Sequence, residues 1–202
     1  MSAEAPDADA DLQRRVEFLL ELDKAKGVLR RNLITAEERR ENDAEHGWHV
    51  TMFALVLADY APPGTDISRV IAMLLVHDIV EIDAGDAFVY DEEAKAQQPA
   101  RERAAADRLY GLLPPDQGRN LHALWEEFEA RHTPEARFAA ALDRLQPLLL
   151  NFHTQGRAWR QHGVTRDQVL TVNAHIAHGS EALWAFARNL INEAVRLGYL
   201  HP

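Results

Sequence analysis

Apolar residues recur along this chain at intervals of three and four, the period of a helix with one buried face. "LQRRVEFLLELDKAK" places Leu12, Val16, Leu19 and Leu22 in that rhythm, and Gly27 is placed to end it. "NDAEHGWHVTMFALVLADY" predicts a second helix, stopped by the breaker "APPGTD". Asp66 or Ser68 then caps "SRVIAMLLVHDIVEIDA", and Gly85 stops it. Further helices are expected in "EEAKAQQPARERAAADRLYGLL", "PPDQGRNLHALWEEFEAR", "TRDQVLTVNAHIAHGS" and "EALWAFARNLINEAVRLGYL". Between them, "PEARFAAALDRLQPLLLNFHTQG" opens at Pro134 and is expected to kink at Pro147. No alternating stretch reads as a strand. The pattern predicts an all-α single domain over residues 11–202, with residues 1–10 as a flexible acidic tail.

Composition narrows the chemistry. A formal charge of -10 in 202 residues argues against a nucleic-acid polymer as partner. It leaves room for a small anionic ligand, because a bound cation reverses the potential locally. The chain has no cysteine, so disulfides, thiolate metal sites and cysteine nucleophiles are excluded. "MSAEAPDADADLQRR" lacks the apolar core of a secretory signal, and no apolar run approaches the about 20 residues that span a bilayer. A cytoplasmic protein with no membrane partner is the expectation.

Against this background the stretch "VIAMLLVHDIVEIDAGD" stands out, because ionised groups on an apolar helix are costly unless paired. His77 and Asp78 are adjacent, and Glu81 lies within one turn of both. A ligand pair with a free carboxylate beside it suits acid–base chemistry at a metal. Two other helices carry comparable groups: His46 at the start of an apolar face, and Asp143 among alanines and leucines. Asp143 needs a cation, a donor or a metal; an ion pair with Arg144 or Arg137 is the plainer alternative. His46 taken alone reads more readily as a satisfied half-buried histidine than as a ligand.

Together these residues form H…HD…D across helices. The sequence resembles the HD-domain metal-dependent phosphohydrolases, whose signature this is. "RRENDAEHGWHV" and "LLVHDIVEIDAGD" look like the branch containing bacterial 5'-deoxynucleotidases. The resemblance implies a helical HD-domain fold in which His46, His77, Asp78 and Asp143 hold one divalent transition metal (Mn, Co, Fe, Ni or Zn). It implies that Glu81 stands near the attacking water and that Asp86 contacts water or the scissile phosphate. It implies a small phosphorylated substrate, most simply a nucleoside 5'-monophosphate, and a homodimer. The branch carries an arginine–tryptophan pair ahead of its first histidine. Here the nearest positions are Lys26 and Gly27, so phosphate contacts would fall to Lys26, Arg30 and Arg31.

His49 is expected beside the site or at the surface, and His175 and His178 have ligand-like spacing without matching carboxylates. Trp48, Trp125, Trp159 and Trp184 read as core or interface anchors. Rival functions keep the metal but change the substrate to a phosphodiester, a triphosphate or an alarmone, or dispense with turnover in a metal-stabilised regulatory domain.

Overall fold

The computed structural model describes residues 8–90 and 92–202. Residues 1–7 of the expected tail lie outside the described residues, and the first helix, α1 (Ala8–Leu22), already begins within that stretch. A 3-10 turn follows over Asp23–Gly27. The remaining helices are α2 (Asp43–Val56), α3 (Ile67–Val76), α4 (Glu81–Ala84), α5 (Glu92–Gly111), α6 (Pro115–Ala130) and α7 (Pro134–His153). They continue with α8 (Arg157–Gln161), α9 (Arg166–Asn173), α10 (Ile176–Gly179) and α11 (Glu181–Arg196). Among the described residues no helix is long and apolar enough to cross a membrane.

The helix starts are written locally. Asn42 and Glu45 form a capping box at α2, each side chain bonding the other's backbone N–H at 3.0 and 3.1 Å. Asp66 accepts from the N–H groups of Ser68 and Arg69 to start α3. Thr133 accepts from Ala136 ahead of Pro134 to start α7.

α7 is the central pillar. Phe138, Ala139, Ala140, Ala141, Leu142 and Leu145 are all buried at its heart, packed with Val50 of α2, Met73 and Leu74 of α3 and Ile191 of α11. Pro147 does not interrupt this helix, which runs on to His153. Its alanines let α10 approach closely: a Cβ added at Gly179 would lie 2.4 Å from the Arg137 carbonyl oxygen and 2.7 Å from the Ala141 Cβ. A second cluster joins Phe18, Leu109, Tyr110, Leu113 and Trp125 beneath Val80.

Two expectations need correction. The helix expected over residues 68–84 breaks after Val76 into turns at 77–80 and resumes as α4. Tyr110 donates from its hydroxyl to the Val76 carbonyl at 2.9 Å, satisfying a group at that break. The second correction is a two-stranded antiparallel sheet, β1 (Leu29–Leu33) with β2 (Arg40–Asn42), pairing Leu29 with Asn42 and Leu33 with Arg40. Its polarity is inverted: Arg30 and Glu41 are buried while Leu29 is 53% exposed. Alternation with charges turned inward carries no strand signal, because that signal assumes an apolar inner face.

Candidate metal centre

The residues singled out in the sequence converge from four segments: α2, the turn after α3, α4 and α7. Ligand atoms of His46, His77 and Asp143 lie within 4.8 Å of one another, and all three residues are buried. His46 Nε2 is 3.1 Å from Asp143 Oδ1 and 3.6 Å from Asp78 Oδ2. His77 Nε2 is 3.1 Å from Asp78 Oδ1 and 3.5 Å from Asp143 Oδ1.

Which ring nitrogens carry protons follows from their other partners. His77 Nδ1 lies 2.8 Å from the Leu74 carbonyl, which can only accept, so it donates there. His46 Nδ1 meets the amide oxygen of Gln146 at 3.1 Å, while the Gln146 amide nitrogen donates to Glu41 at 2.6 Å and to His49 at 3.0 Å. His46 therefore donates from Nδ1 as well. Each neutral imidazole then turns an Nε2 lone pair toward carboxylates, acceptor against acceptor, and His77 Nε2 is buried with no hydrogen-bond partner. A proton on each Nε2, or one cation shared among these groups, reconciles that arrangement. Burial opposes charge on His77, but Asp78 and Asp143 outweigh it and hold the imidazole's pKa up at about 10. Burial likewise works against Asp143, and Arg144, His46 and His77 nonetheless lower its carboxyl well below the usual range. Two imidazoles and two carboxylates fit a divalent transition metal, which would replace the two protons.

The adjoining carboxylates gather around Arg30, which is 8% exposed. Its Nη1 lies 2.6 Å from Asp78 Oδ2, 3.5 Å from Asp43 Oδ1 and 3.8 Å from Glu81 Oε2; its Nε lies 3.9 Å from Glu41 Oε2. Arg30 is thus engaged by protein acids and braces Asp78 so that Oδ1 faces His77. Burial, then Asp78, pushes Glu81 well above the ordinary carboxyl range, and burial raises Asp86.

A cavity of about 390 Å³ opens from this cluster, lined by Glu81, Asp86, Arg31 and Asn32 and by the aromatic faces of Phe88, Tyr90 and Trp159. Lys26 does not line it; this exposed side chain is bonded to Asp23.

Sequence reasoning missed Asp43, Glu41 and Gln146. Asp43 is buried, neither of its oxygens has a hydrogen-bond partner, and burial followed by Asp78 lifts its pKa to about 7. In the sequence it passes as an ordinary acid in the first turn of a helix. The signal available was its position one turn before His46. Trp159, expected as core, is 2% exposed and also walls the cavity.

The crystal structure named "Predicted metal-dependent phosphohydrolase" from Magnetospirillum magnetotacticum MS-1 is 54% identical, with a TM-score of 0.90 over 96% of this chain and 100% of that one. The 5'-deoxynucleotidase HDDC2 of Danio rerio is 31% identical over 109 residues, 54% of this chain and 53% of the relative. That of Xenopus laevis is 30% identical over 135 residues, 66% of each chain. The chain spans about half to two thirds of the length of the curated relatives it matches. The family model described as HD domain matches residues 22–184, which include His46, the His77–Asp78 pair and Asp143. With that model running through the centre just described, the chain belongs to the HD domain family.

Proposed function

We propose that this protein is a metal-dependent phosphohydrolase acting on a small phosphomonoester, specifically a nucleoside 5'-monophosphate. The observation that carries the reading is the pair of imidazole Nε2 atoms facing Asp78 and Asp143 at the head of a cavity. A divalent cation held by His46, His77, Asp78 and Asp143 would supply positive charge against the phosphoryl oxygens and acidify water.

The chain's own groups do the rest. Arg31 and Asn32 stand on the cavity wall to hold phosphate or sugar oxygens, and Phe88 and Trp159 offer apolar faces for a base. Glu81 and Asp86 are the two proton-handling groups. One takes the proton of the attacking water, and the other delivers a proton to the departing 5'-oxygen. The new bond joins the water oxygen to phosphorus, the bond from phosphorus to the 5'-oxygen breaks, and orthophosphate and the nucleoside leave. Relatives named 5'-deoxynucleotidase support this substrate class. The reading includes assembly as a homodimer, for which exposed Leu12, Val16 and Leu19 on α1 offer apolar surface. A monomer mass by light scattering at micromolar concentration would remove that part.

The test is phosphate release by Mn- or Co-loaded protein from matched ribo- and deoxyribonucleoside 5'-monophosphates, with Glu81→Ala as control. Release confined to the deoxy series and lost in the variant gives a deoxynucleotidase; release from both sugars gives a broader nucleotidase. No release from any of them, with metal bound, overturns the nucleotide reading.

A further inference from the structure

The cavity has a second charged region that the chemistry above does not use. Arg131, Arg144 and His175 line it from three segments: the end of α6, the middle of α7 and the turn before α10. Arg144 Nε is 3.3 Å from Asp143 Oδ2. Among the described residues Arg131 forms no salt bridge, and its Nε is buried without a hydrogen-bond partner. His175 Nε2 is buried and unpartnered in the same way. The Arg131 Nε–H is a buried donor left unmet in a cavity wall, open to an acceptor that enters the cavity.

The backbone makes the same point. Arg131 ends α6 in the left-handed region, with φ of 52°, where glycine is the natural occupant. A side chain is kept there at a steric cost, and its carbonyl is pinned by Arg137 Nε at 3.1 Å. Arg131 and Arg144 are the cations whose charges reach His175, on a cavity wall that also carries the carboxylates of Glu102 and Glu129. Burial, and after it the charges of Arg131 and Arg144, lower the pKa of His175 to about 4. Glu102 and Glu129 line the cavity too; burial, then Glu129, raises Glu102 to about 7, and burial raises Glu129.

We propose that Arg131, Arg144 and His175 form a second anion subsite, so that the substrate class is a phosphomonoester bearing another anionic group, such as a second phosphate. The subsite stands on its own geometry, whereas the substrate class rests on the hydrolase reading. Arginine is suited to the role because its planar fork meets phosphate with two hydrogen bonds.

The first experiment is equilibrium dialysis of Mn-loaded protein against inorganic phosphate. Wild type is expected to bind two phosphates per chain, and Arg131→Gly and Arg131→Asn one. Both variants suit a left-handed position, so the backbone is preserved, and circular dichroism checks it. One phosphate in wild type, or two in both variants, overturns the subsite. The second experiment compares a deoxynucleoside 3',5'-bisphosphate with its 5'-monophosphate as substrates. At least a tenfold lower KM for the bisphosphate is expected, collapsing to parity in Arg131→Gly. Equal KM values in wild type overturn the substrate class. Absence of turnover on either compound overturns the nucleotidase reading, while the phosphate count still decides the subsite.

Discussion

Gln146 of α7 accepts from His46 Nδ1 of α2 at 3.1 Å, and this contact sets which nitrogen of His46 faces Asp143. The glutamine is in turn oriented by Glu41 and His49, so the Nε2 of a proposed metal ligand is aimed by residues outside the proposed ligand set. Gln146→Leu removes the acceptor and frees the ring. Metal affinity is expected to fall about 10- to 100-fold. Competition against a chromophoric chelator measures it, and unchanged affinity would refute the orienting role.

Metal removal is expected to destabilise the fold, because the binding free energy of a cation that prefers the native state adds to stability, about 2.7 kcal/mol at a hundredfold excess over Kd. Differential scanning fluorimetry with and without chelator reads it. A melting temperature that ignores verified metal loss would refute the linkage.

The metal-free and metal-loaded proteins are expected to respond oppositely to pH. Without metal, His77 has its pKa raised from 6.5 to about 10 in the fold. Its contribution is therefore complete below pH 6.5 and lost as pH rises toward 10. With metal the imidazoles must be deprotonated, so rising pH strengthens binding over the same window. Melting curves at pH 6 and pH 9 in both states test the crossing.

Glu81→Gln is expected to lower kcat by about 10²- to 10⁴-fold, the usual contribution of a positioned acid or base. Metal content measured by atomic emission should stay at one per chain. Loss of metal together with activity would reassign Glu81 as a ligand.

Arg30→Met leaves Asp43, Asp78, Glu41 and Glu81 without their common cation. Breaking a buried charge network from one side costs about 3–5 kcal/mol. Urea denaturation of the metal-loaded variant checks it, and a loss under about 1 kcal/mol would show that the metal alone balances the acids.

Gly179→Ala forces a methyl group against the Arg137 carbonyl and Ala141. Overpacking of this kind costs about 1–3 kcal/mol. The same urea assay applies, and a neutral result would mean that α10 slides on α7 without cost.

The helical framework was legible in the sequence because its causes are local. Capping at Asn42, Asp66 and Thr133, the start at Pro134 and the apolar recurrence all act within a few residues. His46, His77, Asp78 and Asp143 were legible for a related reason: each is a polar group on an apolar face, and such a group needs a partner. What the sequence could not display was which groups become partners. The inward charges of Arg30 and Glu41 hid a sheet, since strand patterns presume an apolar inside. The Val76 carbonyl at the break accepts from Tyr110, 34 residues away, and Asp43 becomes costly only once other segments bury it. Arg131 meets Arg144 and His175 at one cavity only through the packing of α6, α7 and α10. The sequence by itself determined the elements and the residues that demand a cation, because backbone periodicity and desolvation cost belong to each residue. Only the tertiary structure decided the tautomers, the bracing of Asp78 and the second charged wall, because electrostatic partnership is a property of distance across the fold.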